Sequence, residues 1–320
     1  YESLYSYFRS HDIETFFGIG GNDSMDTVMK LASFFSKKDH PISVIGIPKT
    51  IDNDLLCTDH TPGFGSAAKY VAATLREMAY DTMIYPVKSI TIVEVMGRDS
   101  GWLTAAAALA RTNEINAPQL IYLPEVPFSI ENCIADTRSL LKERNSVLIA
   151  VSEGVKDANG DYISAADAKK DKFGHAMLSG AGKALEHILG QALGVKIRSV
   201  ELNIPQRCAA HLASKTDLDE AFGLAGAGVD LAEEKKTGLM ATMVRESGDD
   251  YRISYGSVPV SEVANGVKSV PRDFINERGN DVTDKMVKYL KPLIQGEVEV
   301  PFNEGLPDFI PIPHLQENAD

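Results

Sequence analysis

A short segment of this chain places a cation, a hydroxyl and two carboxylates together, in the order Pro48-Lys49-Thr50-Ile51-Asp52-Asn53-Asp54. Asp52 could take a proton from an attacking alcohol, and a well-placed general base accelerates a reaction by roughly 10²- to 10⁴-fold. Asp54 could hold Mg²⁺ directly or through water, because that ion prefers oxygen ligands. Alternatively, both carboxylates cap a turn and Lys49 is solvated. The motifs around this segment favour chemistry over a purely structural turn.

A pair of glycines precedes this segment, at the start of Gly20-Gly21-Asn22-Asp23-Ser24. The pair follows an apolar run and precedes an apolar pattern at helical spacing. In such a turn the backbone comes close to a phosphate, and the N-terminal amides of the helix bind it. Taken alone, a glycine pair more often only makes a tight turn. The two segments together predict a site for a phosphoryl group.

The composition limits the kinds of partner. The 320 residues carry a formal net charge of −13, which would repel nucleic acids and anionic membrane surfaces, so we expect neither as a partner. A phosphorylated substrate would be repelled too, and an enzyme for one must gather its Lys and Arg locally. Cys57, Cys133 and Cys208 are widely spaced, which is typical of reduced thiols in a cytoplasmic protein. No signal-peptide pattern is present, and no apolar run reaches the roughly 20 residues that span a bilayer.

Strands and helices alternate along the chain and must position these groups. Apolar runs predict strands at 15–19, 42–47, 89–95, 119–123 and 147–151, and apolar stripes predict helices at 1–11, 25–35, 65–79 and 102–110. Such alternation is typical of an α/β protein with mostly parallel sheets, whose ligands bind beyond the carboxyl ends of the strands. Polar segments at 157–173 and 245–255 are predicted to be surface turns. The chain begins within a predicted helix, and we expect an N-terminal portion upstream.

Four motifs resemble those of the phosphofructokinases in order and spacing. They are Gly-Gly-Asn-Asp-Ser, Pro-Lys-Thr-Ile-Asp-Asn-Asp, Thr-Pro-Gly-Phe-Gly-Ser-Ala (61–67) and Glu-Val-Met-Gly-Arg-Asp-Ser-Gly-Trp (94–102). The resemblance runs from Phe17 to about Asp230 and weakens toward the C-terminus. It implies two Rossmann-like lobes, with a first strand and a glycine-rich loop upstream of Tyr1. By this resemblance we assign a phosphoryl-donor lobe to 1–66 plus 211–260 and a fructose 6-phosphate lobe to 67–210 plus 261–320.

The resemblance also implies a reaction and residue roles. The reaction is Mg²⁺-dependent phosphoryl transfer to the 1-hydroxyl of fructose 6-phosphate in glycolysis, with Asp52 as the base and Thr50 and Lys49 beside the transferring group. The residues matching the family's sugar-phosphate contacts are Met96, Gly97, Arg98, Glu153 and Arg207. Arg198 matches a residue that crosses to a neighbouring subunit, which implies a homo-oligomer, a dimer or a tetramer. A surface ion pair is the alternative for Arg198.

Two charged residues bear on the identity of the phosphoryl donor. ATP-dependent members usually have glycine at the position of Asp23, and many have glycine at the position of Lys49. A carboxylate at 23 would face the α-phosphate of ATP, and two unit charges about 4 Å apart repel by roughly 4 kcal/mol at an effective dielectric constant of about 20. Lys49 would neutralise pyrophosphate in the transition state. Together with Trp102, the pair resembles the pyrophosphate-dependent branch, whose donor site would be Gly20, Gly21, Asp23, Ser24 and Lys49.

Three positions depart from the family's pattern. Asn22 stands where the family usually has a magnesium-binding Asp, so the metal is assigned to Asn22, Asp23 and Asp54. Ile204 stands where ATP-dependent members commonly have a sugar-binding His, and Ser89 where the family often has a basic residue. Two alternatives to a pyrophosphate-dependent enzyme remain open. One is an ATP-dependent enzyme of the same fold, and the other is a non-catalytic paralogue that binds sugar phosphate.

Overall fold

The computed structural model describes residues 1–163, 180–248 and 250–310. In chain order its strands are β1 (Thr15–Gly20), β2 (Ser43–Pro48), β3 (Ser89–Val95), β4 (Leu120–Tyr122), β5 (Ser146–Ser152), β6 (Lys196–Glu201), β7 (Leu239–Arg245), β8 (Ile253–Pro259), β9 (Phe302–Asn303) and β10 (Leu306–Pro307). The α-helices are α1 (Glu2–Ser10), α2 (Asn22–Phe35), α3 (Phe64–Met83), α4 (Trp102–Ala105), α5 (Ile130–Glu143), α6 (Ala181–Leu193), α7 (Lys215–Glu233) and α8 (Asp284–Leu290).

The strands form two four-stranded sheets and a small ribbon of β9 and β10. The first sheet has the order β1-β2-β7-β8, in which β1, β2 and β7 run parallel and β8 is antiparallel to β7. The second has the order β4-β5-β3-β6 and is wholly parallel. The prediction of an α/β fold with mostly parallel sheets is therefore confirmed. The division into two lobes at the predicted residue boundaries stays a prediction.

The helices bury the apolar stripes that predicted them. In α3, Phe64, Ala68, Val71 and Leu75 are fully buried and pack in one core with Val93 and Val95 of β3. The segment predicted as one helix at 102–110 is instead α4 followed by a 3₁₀-helix at Ala106–Ala110. This core packs α3 closely against the run of alanines, and methyl side chains tolerate the eclipsed i, i+3 spacing of a 3₁₀-helix.

The two polar segments predicted to be surface turns compare differently with the structure. The predicted turn 245–255 is partly wrong, because residue 245 ends β7 and residues 253–255 begin β8, which was not predicted. Residue 249, in the connection between the two strands, lies outside the described residues. Strand β8 is an edge strand whose residues are half-buried or exposed, so its sequence lacks a strong apolar pattern. The other predicted turn, 157–173, lies partly outside the described residues, which stop at 163 before resuming at 180. Among the described helices, none has the length and apolar character needed to cross a bilayer.

Candidate active site

The turn after β2 is braced by two other motifs. The Thr50 N–H donates to Pro62 O (3.1 Å), and Thr61 Oγ1 donates to Thr50 O (2.8 Å). The Thr50 hydroxyl accepts the Asp52 N–H (3.2 Å), and Ser100 Oγ donates to Asp52 O (3.1 Å). Three of the four motifs, the turn itself, 61–67 and 94–102, therefore meet at Thr50 and Asp52.

Asp52 lies where water solvates a charge poorly. The pKa of its carboxyl is raised to about 6, first by burial and then by the neighbouring Asp54 charge, while Arg98 opposes both. A carboxyl group with a pKa just below neutrality is ionised at pH 7, yet it is more basic than an ordinary Asp. That combination suits a group that accepts a proton from an alcohol.

A second carboxylate, Glu153, follows β5 and faces the Met-Gly-Arg turn. Its Oε1 accepts the Gly97 N–H (3.3 Å). Gly97 has a φ of +143°, and a Cβ at this position would lie 2.5 Å from Ser100 O, so the turn requires glycine. The pKa of Glu153 is raised to about 7, first by burial and then by the charge of Asp52, while the Gly97 N–H and Arg98 oppose the shift. The structure thus brings together four of the predicted residues, Asp52, Gly97, Arg98 and Glu153.

Arg98 is half-buried between these carboxylates. Its Nε is buried and has no hydrogen-bond partner among the described residues. Buried N–H groups are nearly always paired, so an unpaired guanidinium N–H at this edge indicates a ligand oxygen as its partner. The charge of Arg98 also offsets part of the rise in the pKa of both Asp52 and Glu153. Arg98 is therefore placed to hold an anion next to the base.

Gln206 is a site residue that the sequence did not single out. Its Oε1 accepts the Met96 N–H (3.2 Å), and its Nε2 donates to Asn203 O (2.9 Å). Gln206 is 2% exposed, whereas its neighbour Arg207 is exposed. The buried amide fixes the backbone of Met96 and carries the 3₁₀-helix Ile204–Arg207, so it connects Arg207 to the Met-Gly-Arg turn. The one sequence signal for Gln206 as a site residue is that it directly precedes the predicted Arg207.

The glycine turn, residues 20–24, lies directly against the turn at 48–54 that carries Asp52, called here the turn of the base. The Lys49 N–H donates to Gly20 O (3.0 Å). A Cβ on Gly21 would lie 3.7 Å from the Cβ of Thr50, and one on Gly20 would collide with the side chain of Ser24. The N-terminal end of α2 therefore stands next to Thr50, as the prediction of a phosphoryl site requires.

Asp23 and Lys49 flank this junction. Asp23 lies in the first turn of α2, and both side chains are exposed. The carboxylate and the ammonium therefore face solvent at the mouth of the site rather than the core. A donor that approaches the glycine turn meets both charges.

Asn22 and Asp54 meet at the same place. Asn22 Nδ2 donates to Asp54 Oδ2 (3.0 Å), and Asn22 Oδ1 is buried without a hydrogen-bond partner among the described residues. No three Asp, Glu, His or Cys side chains converge as a metal site within the described ranges. One carboxylate and one unpaired amide oxygen nevertheless fit Mg²⁺, because that ion keeps several waters and takes few protein ligands.

Arg198 is not part of this cluster. It lies on the edge strand β6, where it pairs with Thr91, four residues before the end of β3. At about 3.3 Å per residue, that position is roughly 13 Å from the carboxyl edge of the sheet. Arg198 is exposed and lines a shallow groove with Tyr85, Val87 and Lys196.

Lys268 is a second residue that the sequence did not single out. Its ammonium lies behind the turn of the base, and burial lowers its pKa to about 8 while the charges of Asp59 and Asp54 oppose that shift. Trp102 Nε1 donates to Lys268 O (2.8 Å). Lys268 falls outside the matching motifs and about two hundred residues after the turn, so no local pattern could have placed it there.

Comparison with known proteins gives a consistent result. A family model described as Phosphofructokinase matches residues 1–201. The pyrophosphate--fructose 6-phosphate 1-phosphotransferase of Halomonas elongata is 40% identical over 309 residues, which cover 96% of this chain and 74% of that protein. The protein of the same name from Methylococcus capsulatus is 38% identical over 312 residues, covering 97% and 74%.

A solved structure extends the likeness to the fold. The pyrophosphate-dependent phosphofructokinase from Marinobacter aquaeolei matches with a TM-score of 0.85 at 38% identity, covering 96% of this chain and 74% of that chain. The fold expected from the four motifs is thereby confirmed.

Proposed function

This chain belongs to the phosphofructokinase family, and we infer that it is a pyrophosphate-dependent phosphofructokinase. It transfers a phosphoryl group from diphosphate to the 1-hydroxyl of fructose 6-phosphate. The observation that carries this inference is the convergence of three motifs on Asp52, a base whose pKa burial raises to about 6 beside Arg98. Its relatives named for the same reaction support both the acceptor and the donor.

The acceptor side works through Asp52. Its carboxylate takes the proton of the 1-hydroxyl as the sugar oxygen attacks the terminal phosphorus of diphosphate. The bond from that phosphorus to the bridging oxygen breaks, and fructose 1,6-bisphosphate and phosphate leave. Arg98 and Arg207 hold the 6-phosphate, and Glu153, Met96 and Gly97 orient the sugar. Because a phosphoanhydride and a sugar phosphate exchange one phosphoryl group, we expect ready reversal.

The donor side is the glycine turn with the N-terminus of α2. Backbone amides after Gly20 and Gly21 bind the phosphoryl group, with Ser24 behind them. Lys49 neutralises the diphosphate as charge develops. Asp23, exposed in the first turn of the helix, disfavours a nucleotide because, by the resemblance to the family, its carboxylate would face the α-phosphate of ATP. Charge at two positions therefore selects diphosphate over ATP.

The metal in this proposal is Mg²⁺, and its protein ligands would be Asn22, Asp23 and Asp54. The unpaired Oδ1 of Asn22 and the Asp54 carboxylate that Asn22 orients are the groups that would hold it. When bound, Mg²⁺ neutralises the phosphate oxygens and favours an in-line arrangement. Asn22 donates its N–H to Asp54, so the amide oxygen is left pointing away from that bond.

Two further proposals concern the oligomeric state of the enzyme and its location in the cytoplasm. Arg198 lies apart from Asp52 in its own chain, and we propose that it completes the sugar-phosphate site of a second copy, in a homodimer or a homotetramer. The cytoplasm is the compartment in which fructose 6-phosphate is handled during glycolysis. The free cysteines, Cys57, Cys133 and Cys208, agree with a reducing compartment.

A donor experiment tests the proposal. The purified protein is assayed with fructose 6-phosphate and either diphosphate or ATP, and fructose 1,6-bisphosphate is detected with coupled aldolase. We expect turnover with diphosphate and little with ATP. Asp23→Asn removes the charge with little change of shape, together with a proposed metal ligand that both donors share. It should therefore raise the affinity for ATP relative to that for diphosphate, by up to about three decades if the full roughly 4 kcal/mol of repulsion is relieved.

The matched control is Asp39→Asn, which makes the same change at an exposed position beyond the other end of α2. It should leave binding of both donors unchanged. Turnover with ATP but not with diphosphate would overturn the donor assignment. Binding of fructose 6-phosphate without turnover on any donor would favour a non-catalytic paralogue.

A further inference from the structure

Asn53 stands between the base Asp52 and the metal-ligand candidate Asp54. Its φ is +54°, in the left-handed region that, among residues other than glycine, Asn adopts most readily. Its side chain is 0% exposed. The φ of Asn53 sets the directions in which the two flanking carboxylates leave the backbone. Whatever holds Asn53 therefore sets the geometry of Asp52 relative to Asp54.

Lys268 holds Asn53 from behind. Its Nζ donates to Asn53 Oδ1 (2.9 Å), Thr58 O (3.1 Å) and Asp59 O (2.7 Å). An ammonium has three N–H bonds, so these acceptors use all of them. The backbone N–H of Lys268 also donates to Asp54 O (2.7 Å). Asn53 Nδ2 in turn donates to Tyr289 Oη (3.1 Å), so Lys268 and Tyr289 together hold Asn53, and Lys268 also binds the backbone of Asp54.

The same lysine is tied to the segment that carries Arg98. Lys268 O accepts the indole N–H of Trp102, and Nζ lies 5.3 Å from the centre of its ring, within the range of a cation–π contact. Trp102 is 3% exposed and ends the motif at 94–102. Lys268 therefore joins the turn of the base to the turn that faces the sugar phosphate.

The charges nearby show that Lys268 is not simply the counter-ion of a buried carboxylate. Asp59 Oδ1 is bound by Arg245 Nη2 (3.0 Å) and by His60 Nδ1 (2.8 Å). His60 Nε2 contacts Glu220 (2.6 Å) on its other side. Arg245 and His60 thus already engage the Asp59 carboxylate, and the ammonium of Lys268 goes to two carbonyls and the Asn53 amide.

We propose that Lys268 is a positioning residue for phosphoryl transfer, acting through Asn53 to set Asp52 against Asp54 and against the Met-Gly-Arg turn. The proposal rests on the proposed function. Lys268 contacts no substrate, so its loss should lower kcat far more than it raises the KM for fructose 6-phosphate. Misplacement of a catalytic group by about 1 Å costs up to about 100-fold in rate.

The first test is Lys268→Met, which keeps the length of the side chain and removes the ammonium. We expect kcat to fall by roughly 10- to 100-fold, with the KM for fructose 6-phosphate within about threefold of its original value. Trp102 is the one tryptophan in the chain, so its emission spectrum should shift in this variant. The matched control is Lys285→Met, which removes an exposed lysine paired with Asp273 and should change neither kcat nor the emission.

Chemical rescue separates positioning from general loss of stability. In Lys268→Ala, propylammonium can supply N–H donors to the acceptors, whereas tetramethylammonium supplies the charge alone. We expect propylammonium to restore kcat several-fold and tetramethylammonium to restore none of it. Equal rescue by both cations, or a folded Lys268→Met with kcat within twofold of the original, overturns the proposal.

If the Lys268 variants do not fold, the variant Asn53→Gly tests the same role from the side of the residue that Lys268 holds. Glycine adopts a positive φ without strain but has no amide for Lys268 or Tyr289 to hold. We expect kcat to fall at least about tenfold with little change in KM, and an unchanged kcat overturns the proposal. If the original protein turns over diphosphate and these variants do too, only the role of Lys268 fails. If the original protein turns over no donor, the proposed function fails.

Discussion

Replacing Asp52 with Asn should abolish most turnover and at the same time stabilise the folded protein. The amide matches the carboxylate in shape but cannot accept the proton of the 1-hydroxyl. A missing general base costs roughly 10²- to 10⁴-fold in rate. The affinity for fructose 6-phosphate should stay within a few fold, because Arg98 and the other sugar-phosphate residues are untouched.

The stability gain follows from the pKa of Asp52, which burial raises from 3.8 to about 6. A shift of about two units corresponds to about 3 kcal/mol, an upper limit for the gain. Below about pH 4 the carboxyl is protonated in both the folded and the unfolded protein, so ionisation has no effect on stability. Above about pH 6 it is ionised in both states, and the folded state bears the full cost. Asp52→Asn should therefore gain stability over the original as the pH rises from about 4 to about 6.

Urea unfolding at pH 4.5 and pH 7.5, together with the coupled aldolase assay, measures both effects. The difference in unfolding free energy between variant and original should be larger at pH 7.5. Asp39→Asn, exposed and distant from the site, should show no difference at either pH. Turnover of Asp52→Asn within tenfold of the original would refute Asp52 as the base. An equal change in stability at both pH values would refute the buried, ionised state assigned to it.

Three further substitutions probe the rest of the site. Asn22→Asp restores a charged ligand beside Asp54 and should lower the Mg²⁺ concentration for half-maximal turnover several-fold, as a metal titration would show. Gln206→Leu leaves the Met96 N–H unpaired, so urea unfolding should show a loss of about 1–3 kcal/mol in the free energy of unfolding, and the KM for fructose 6-phosphate should rise because the Met96 backbone is no longer fixed. Glu153 has a pKa of about 7 and gains its charge as the pH rises through that value. Affinity for the sugar phosphate should therefore weaken from pH 6 to pH 8, and Glu153→Gln should flatten that profile in direct binding measurements.

The sequence predicted the strands and turns of the site well because their signals are local. A buried parallel strand is an apolar run, and the residue that follows it lies at the ligand-binding edge, so Asp52, Arg98 and Glu153 could be expected there before any coordinates. The electrostatic state of these groups was not predictable. The pKa shifts arise from burial and from Asp54, Asp52 and Arg98 acting on one another across different strands.

The supporting residues escaped prediction for the same reason. Gln206 and Lys268 reach the catalytic turns from distant parts of the chain, and neither has a distinctive neighbour pattern. Lys268 donates to two backbone carbonyls and an Asn side chain. None of these acceptors is charged, so no acidic residue in the sequence pointed to Lys268. Tertiary hydrogen bonds of this kind become visible only when the sheets and loops are assembled.

The distribution of charge explains why a protein with a net charge of −13 can act on two polyanions. Asp54 raises the pKa of Asp52, and Asp52 raises that of Glu153, so the described site is crowded with acidic groups and Arg98 opposes only part of that effect. Diphosphate alone would add charge of the same sign. At position 22 a neutral amide stands instead of a further carboxylate, which leaves one negative charge fewer to repel the donor. The neutral Asn22 and the exposed, basic Lys49 therefore make this part of the site less negative than its carboxylates alone would make it.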